Sequence, residues 1–204
     1  FPTAGRPVFE LVIKGYCHFI GTAVYYIKRT REVTMMDSIL NTASYIVHKY
    51  KELTGDDIDE MKLHKLLYFT QRDSLAMQGV PAFSGDFEGW KFGPVSKTVR
   101  AALRNNTLFN HSAFISADTE YVANHVILRY GTLDSWDLSN LSHSESSWIK
   151  SRKGVPEGEI GDRIINLEDI KEDAKKVRLY DNVYDMYYDE FEDADENERE
   201  AVVS

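Results

Sequence analysis

The chain has 204 residues, of which 43% are hydrophobic and one, Cys17, is a cysteine. That length suits one domain of ordinary size with extensions, and a lone cysteine excludes an intramolecular disulfide framework. Of the 33 acidic and 24 basic residues behind the net charge of −9, residues 181–204 hold ten and one, which leaves residues 1–180 with 23 of each sign and disfavours strong nucleic-acid binding.

Residues 1–34 carry aromatics (Tyr16, Phe19, Tyr25, Tyr26) without clean periodicity. The most apolar stretch, Val8 to Ile27, contains Glu10, Lys14 and His18. A central lysine costs roughly 2.5–3.5 kcal/mol on insertion scales, so this is not a membrane span. It also lacks the basic start and small-residue cleavage site of a signal peptide. A cytoplasmic protein with no membrane partner is expected. Arg31-Glu32-Val33 can be encoded by a purine-rich run just before Met35-Met36, which resembles a translated ribosome-binding site. The expectation is a start at Met35 or Met36, with residues 1–34 a leader or an accessory arm.

From Asp37 the pattern sharpens. Ile39, Ala43, Ile46, Val47 and Tyr50 share one helical face, and Gly55 closes the element. Asp57 with Glu60 three residues on reads as a capping signature for a second helix. Its apolar face runs through Leu63, Leu66, Leu67, Thr70 and Leu75, and Gly79 and Pro81 end it. Its other side, with Lys62, Lys65 and Arg72, is expected to be exposed and open to a partner. The Gly- and aromatic-rich run Phe83–Val95 predicts a short irregular β segment near residues 83–92 that inserts aromatics into the core. Trp90 and Trp148 read as core anchors.

Pro94 suits the first turn of a helix bearing Val95, Val99, Ala102 and Leu103, stopped by Asn105-Asn106. Residues 107–117 read as a loop. Asp118 is expected to cap a helix carrying Tyr121, Val122, Val126 and Tyr130, ended by Gly131. A short helix follows near Ser135–Leu141, then a helix carrying Trp148, then a loop over 153–163. Asn166 begins a last helix, along which Val177, Tyr180, Tyr184, Tyr187 and Phe191 form an apolar stripe beside Asp181, Asp185 and Asp189. Such an acidic, aromatic helix either docks on its own core or lays into a partner's groove. Beyond Glu192 the composition predicts disorder. The expected fold is mainly α: a compact helical domain of five to seven helices over 35–176, an amphipathic helix over 177–191 and an acidic tail over 192–204.

Enzyme fingerprints are missing from the sequence: it holds no phosphate-binding Gly-Lys-Ser/Thr loop, no dinucleotide glycine pattern and no Gly-x-Ser-x-Gly elbow. Asp193-x-Asp195-x-Asn197 starts like a calcium loop, but Glu198 stands where glycine is needed and Ser204 where the bidentate glutamate belongs. His143 and Glu145 offer an acid–base pair, or metal ligands together with His64. The plainer reading has His143 bonding a turn, Glu145 capping the helix of Trp148, and Arg152 pairing with a carboxylate. No catalytic, cofactor or metal site is assigned.

Three segments carry a family resemblance: Lys62-Leu63-His64-Lys65-Leu66-Leu67-Tyr68-Phe69, then Phe87-Glu88-Gly89-Trp90-Lys91-Phe92-Gly93-Pro94-Val95, then Leu141-Ser142-His143-Ser144-Glu145-Ser146-Ser147-Trp148 followed by Arg152. In order and spacing, across roughly residues 37–176, they resemble the Panacea domain, the SocA-like antitoxins also known as GepA-type phage-associated proteins. His64 stands where that family often has Gln, and Ser147 where Pro often precedes the Trp. The resemblance implies a bacterial or prophage antitoxin, not an enzyme, that neutralises a toxin encoded beside it by direct binding. Lys62, Leu63, Leu66, Leu67, Tyr68, Trp90, Gly93, Pro94, His143, Glu145, Trp148 and Arg152 would then form the scaffold. Tyr180, Tyr184, Tyr187, Phe191, Asp181 and Asp185 would be candidate toxin contacts, their acidity suiting a basic toxin. An alternative is an adaptor that delivers the toxin to an ATP-dependent protease, with 192–204 as tether. An enzyme of hydrolase type using His143 and Glu145 ranks last.

Overall fold

Ser38 caps the first helix, its Oγ accepting from the amide of Asn41, and Gly55 in the left-handed region ends it. Residues 36–156 and 158–177 are described in this computed structural model. The stripe residues Tyr180, Tyr184, Tyr187, Phe191, Asp181 and Asp185 lie outside the described residues, as do the arm 1–34 and the tail 192–204. Among the described residues the fold is mainly α, with seven α-helices and four very short strands.

The chain runs β1 (Asp37–Ser38), α1 (Ile39–Thr54), α2 (Glu60–Gln78), β2 (Phe83–Ser84), β3 (Glu88–Trp90), β4 (Gly93–Val95) and α3 (Lys97–Arg104). It continues through a 3₁₀ turn at Leu108–Asn110, α4 (Ala117–Tyr130), α5 (Ser135–His143), α6 (Ser146–Ser151) and α7 (Leu167–Ala174). Strands β1 and β2 pair in parallel, and β3 and β4 form a tight antiparallel ribbon in which Gly89 faces Pro94.

Helix α2 is the axis of the fold. Helices α1, α4, α5 and α7 and strand β4 all pack against it. Every residue from Leu63 to Leu75 is buried, so the helix has no exposed face over those three and a half turns. The sequence shows an apolar stripe because only that stripe is built of leucine and aromatics. The polar residues between are buried as well, and several are tied to backbone. Gln71 accepts from the amides of Ala82 and Phe83 and donates to the Phe83 carbonyl. Ser74 donates to the Val80 carbonyl and Thr70 to the Leu66 carbonyl. Buried polar groups with partners in hand cost little and fix a unique arrangement. Accordingly the expectation of an open Lys62/Lys65/Arg72 face is overturned. Lys65 and Arg72 are buried, and Lys62 reaches back to the Tyr50 hydroxyl and the Gly131 carbonyl.

Several local readings shift by a few residues. Asp59, not Asp57, caps α2 by accepting from Lys62 N–H, since it directly precedes the first helical residue; Asp57 pairs with Lys51 at the surface. Pro94 lies inside β4 rather than a first helical turn; α3 begins after Ser96. Proline is tolerated in so short a strand because it needs no ladder donor there. Helix α4 is capped by Ser116, whose own amide and hydroxyl are held by Asp37, and Tyr121 points to solvent. Its buried face is Val122, Ala123, Val126 and Ile127 with Thr119. Asn166 precedes α7 without a side-chain cap, and α7 ends at Ala174 instead of running on to Val177. Phe83 and Phe87 enter the core as expected, whereas Phe92 stays 45% exposed.

Candidate functional site

The three sequence motifs lie far apart in the chain and meet at α2. Tyr68 and Ser147 share a buried hydrogen bond of 2.7 Å between their hydroxyls, joining the first motif to the third. Lys65 donates to the Pro94 carbonyl at 3.2 Å, joining the first to the second. The Trp148 indole N–H donates to the Trp90 carbonyl at 2.9 Å, joining the second to the third. Both tryptophans are half-buried, and Trp148 packs on the core. Gly93 sits in this junction at φ +99°, and a Cβ there would overlap Ser142 Oγ and Lys65 Cε. Only glycine satisfies both the angle and the space.

Arg152 closes the junction from outside, and does so through carbonyls rather than the expected carboxylate. It donates to Gly89, Ile160 and Glu159 carbonyl oxygens at 2.8–3.0 Å, so it fastens the 153–163 loop to the β3 strand. Glu145 also departs from its expected role, whereas His143 reaches the Lys91 backbone in the β3–β4 turn. The His143 ring stacks on Trp148 at 4.0 Å and 15°, and burial lowers its pKa, with the Lys65 charge next in effect. Glu145 occupies the position before α6 but makes no capping bond; its carboxylate instead pairs with Arg72. The two side chains therefore have separate partners and do not form an acid–base pair. His64 lies with Lys65 and Ser96, not with them.

The cap of α6 comes from a residue no local pattern could reveal. Buried Asp173, on α7, accepts from the amides of Ser146 and Ser147 at 2.9 and 2.8 Å. Burial pushes its pKa up, but the hydrogen bonds from Ser146, Ser147 and Lys176 outweigh that and hold it below the usual carboxylate range. Serine at 147 leaves its amide free to donate to Asp173, which a proline there would not allow.

Two openings flank this junction at either end of α2. At one end Arg72 is wrapped by Asp73, Glu145 and the Tyr130 hydroxyl. Burial works against its charge, yet the neighbouring carboxylates, Asp73 foremost, keep the guanidinium protonated well beyond its ordinary range. Glu145 is pushed up by burial despite that same cation. A polar cavity of about 350 Å³, lined by Arg72, Tyr130 and Glu145 with Arg129, Asp173 and Lys176, opens here.

At the other end lies a cleft of about 430 Å³ with Met61, Trp90, Phe92, Val95 and Ile160 as apolar walls. Lys65 and His64 sit at its base. Burial lowers the Lys65 pKa to about 7, against a small opposing effect of Asp59. Burial lowers that of His64 to about 3, helped by the charges of Lys65 and Arg100. His64 Nδ1 accepts from the Ser96 amide at 3.4 Å, while Nε2 has no hydrogen-bond partner among the described residues. Among those residues, no group of three histidine, cysteine or carboxylate side chains is placed to hold a metal ion, and no helix is long and apolar enough to cross a membrane.

The three motifs are thus spent largely on fastening segments of a helical domain to one another. Residues 63–149 match the family model described as antitoxin SocA-like, Panacea domain. The matched interval begins in α2 and ends in α6, just beyond Trp148, so it holds almost all of the three motifs and is shorter than the 37–176 stretch that the resemblance implies. No curated protein and no solved structure matches the chain.

Proposed function

We propose that this protein is an antitoxin that neutralises a cognate toxin by binding it directly, without catalysing a reaction. The observation that carries this reading is the match of residues 63–149 to the antitoxin SocA-like, Panacea domain, together with where the motif residues go. Most polar side chains of the three motifs are committed inward, although His64 Nε2 at the base of the cleft has no partner among the described residues. Lys65 is on the Pro94 carbonyl, Tyr68 on Ser147, Glu145 on Arg72 and Asp173 on the amides of α6. The same commitment gives a rigid body on which surface residues can vary without cost to the fold, which suits a binding module. The acidic aromatic stripe of Tyr180, Tyr184, Tyr187 and Phe191 with Asp181 and Asp185 supplies toxin contacts in this reading, against a basic toxin surface. The toxin is the product of a neighbouring gene, and cytoplasmic complex formation is the expected setting.

The test is expression of the neighbouring open reading frame alone and together with this chain. Growth arrest alone and restored growth together are expected. A toxic neighbour that full-length, soluble chain fails to relieve would refute the reading.

A further inference from the structure

The cleft at the Lys65 end of α2 opens onto a surface of exposed aromatic and cationic side chains. Phe92 forms one wall and is 45% exposed; the 59% exposed Trp136 meets it edge to face at 5.4 Å. Lys91 holds its ammonium 5.2 Å from the Phe92 ring, and the Arg100 guanidinium lies 4.5 Å from the Trp90 ring. Large aromatics bearing cations on their faces, around an apolar concavity, are the composition of interface hot spots. Isolated exposed apolar residues need no explanation, but a contiguous aromatic patch joined to a cleft does.

Charge selects the occupant. Lys91 and Arg100, above the buried Lys65, line the cleft against one carboxylate, Glu60, whose oxygen lies 3.4 Å from Arg100 Nε. Nearby Lys97 is paired with Glu88 at 2.9 Å. The balance is positive in a protein that is negative overall, so this face and the acidic end of the chain differ in sign. We infer that this cleft is a toxin-docking face that takes an acidic, aromatic segment of the partner. A large apolar side chain enters between Met61, Trp90, Phe92 and Ile160, and a neighbouring carboxylate meets Lys91 and Arg100. That the partner is a toxin rests on the antitoxin reading; the chemistry of the occupant rests on the cleft alone. Single-stranded nucleic acid also stacks on aromatics, but it calls for a cationic groove that tracks several phosphates. Lys91 and Arg100 beside a glutamate do not make one.

The experiment titrates full-length chain against a fluorescein-labelled peptide of sequence Gly-Glu-Trp-Asp-Phe-Glu-Gly, read by fluorescence polarisation. Its counterpart carries Lys at each acidic position, and a third probe is labelled oligo-uridylate. Micromolar binding of the acidic peptide is expected, weakened at least tenfold by Lys91→Glu and by Phe92→Asp and weakened by added salt. Both substitutions fall on exposed side chains, and circular dichroism melts matching the parent chain show that the fold is kept. Absence of acidic-peptide binding, equal binding of the lysine peptide, tighter binding of oligo-uridylate, or indifference to both substitutions would each overturn the inference. Growth rescue by the parent chain, run beside these assays, separates the two proposals. Rescue with no peptide binding refutes the cleft alone, and peptide binding without rescue refutes the antitoxin reading alone.

Discussion

Replacing Lys65 with methionine should stabilise the protein at neutral pH, by an amount that shrinks as pH rises. Lys65 is 1% exposed, so its charge is carried almost without water. Its pKa falls to about 7 from an ordinary value of 10.5. A base whose pKa is lowered by folding binds more protons in the unfolded chain throughout that interval. Its burial is free of penalty above pH 10.5, and the penalty grows as pH falls toward 7. At about 1.4 kcal/mol per pKa unit, that is on the order of 4 kcal/mol at pH 7 and about 2 kcal/mol at pH 9. Methionine fills a similar length without a charge, but leaves the Pro94 carbonyl without its 3.2 Å donor, a loss of about 1 kcal/mol. The variant should therefore gain roughly 3 kcal/mol at pH 7, with about 2 kcal/mol of that gain gone by pH 9. Urea denaturation of both proteins at pH 7, 8 and 9 measures it. A difference that does not change with pH, or a variant less stable at pH 7, would refute the reasoning that Lys65 is retained at a cost to stability.

His64→Gln tests the neighbouring base: with a folded pKa near 3 against an ordinary 6.5, parent stability should fall by about 2 kcal/mol between pH 7 and pH 5. The glutamine variant should lose that part of the slope in urea melts at the two pH values. Asp173→Ala removes two amide acceptors from α6 and should cost about 2–3 kcal/mol by chemical denaturation, Asp173→Asn less, since one acceptor oxygen remains. Gly93→Ala meets both an unfavourable φ and occupied space, so it should cost at least about 3 kcal/mol; Gly79→Ala, with φ +72° and nothing within 4 Å, should cost about 1 kcal/mol. Comparable thermal shifts for the two glycine variants would contradict the crowding assigned to Gly93.

How much of this was legible in the sequence depends on how local each signal is. The stops of α1 and α2 were legible because glycine at Gly55 and Gly79 adopts the left-handed conformation that ends a helix. The caps were harder: near α2 both Asp57 and Asp59 are suitable residue types, and it is Asp59, directly before Glu60, that accepts from Lys62 N–H. Helix α2 misled most. Its Lys65, Gln71, Arg72 and Asp73 look like a solvated face until the partners arrive from residues 82–94 and 130–145. The junction followed the same rule. The three motifs could be seen but not their convergence, and Asp173 capping α6 from 26 residues away carried no local pattern at all. Pro94 read as a helix start because its missing amide fits a first turn equally well as a strand without a ladder donor at that point.

The measurement closest to the central claim is a titration of the purified neighbouring gene product with this chain, following the toxin's own activity. Direct masking predicts that activity falls in proportion to the chain added and vanishes at a fixed stoichiometric ratio, with the two proteins eluting together. Full loss of toxin activity at far below stoichiometric amounts, or no loss with an excess of folded chain, would contradict it.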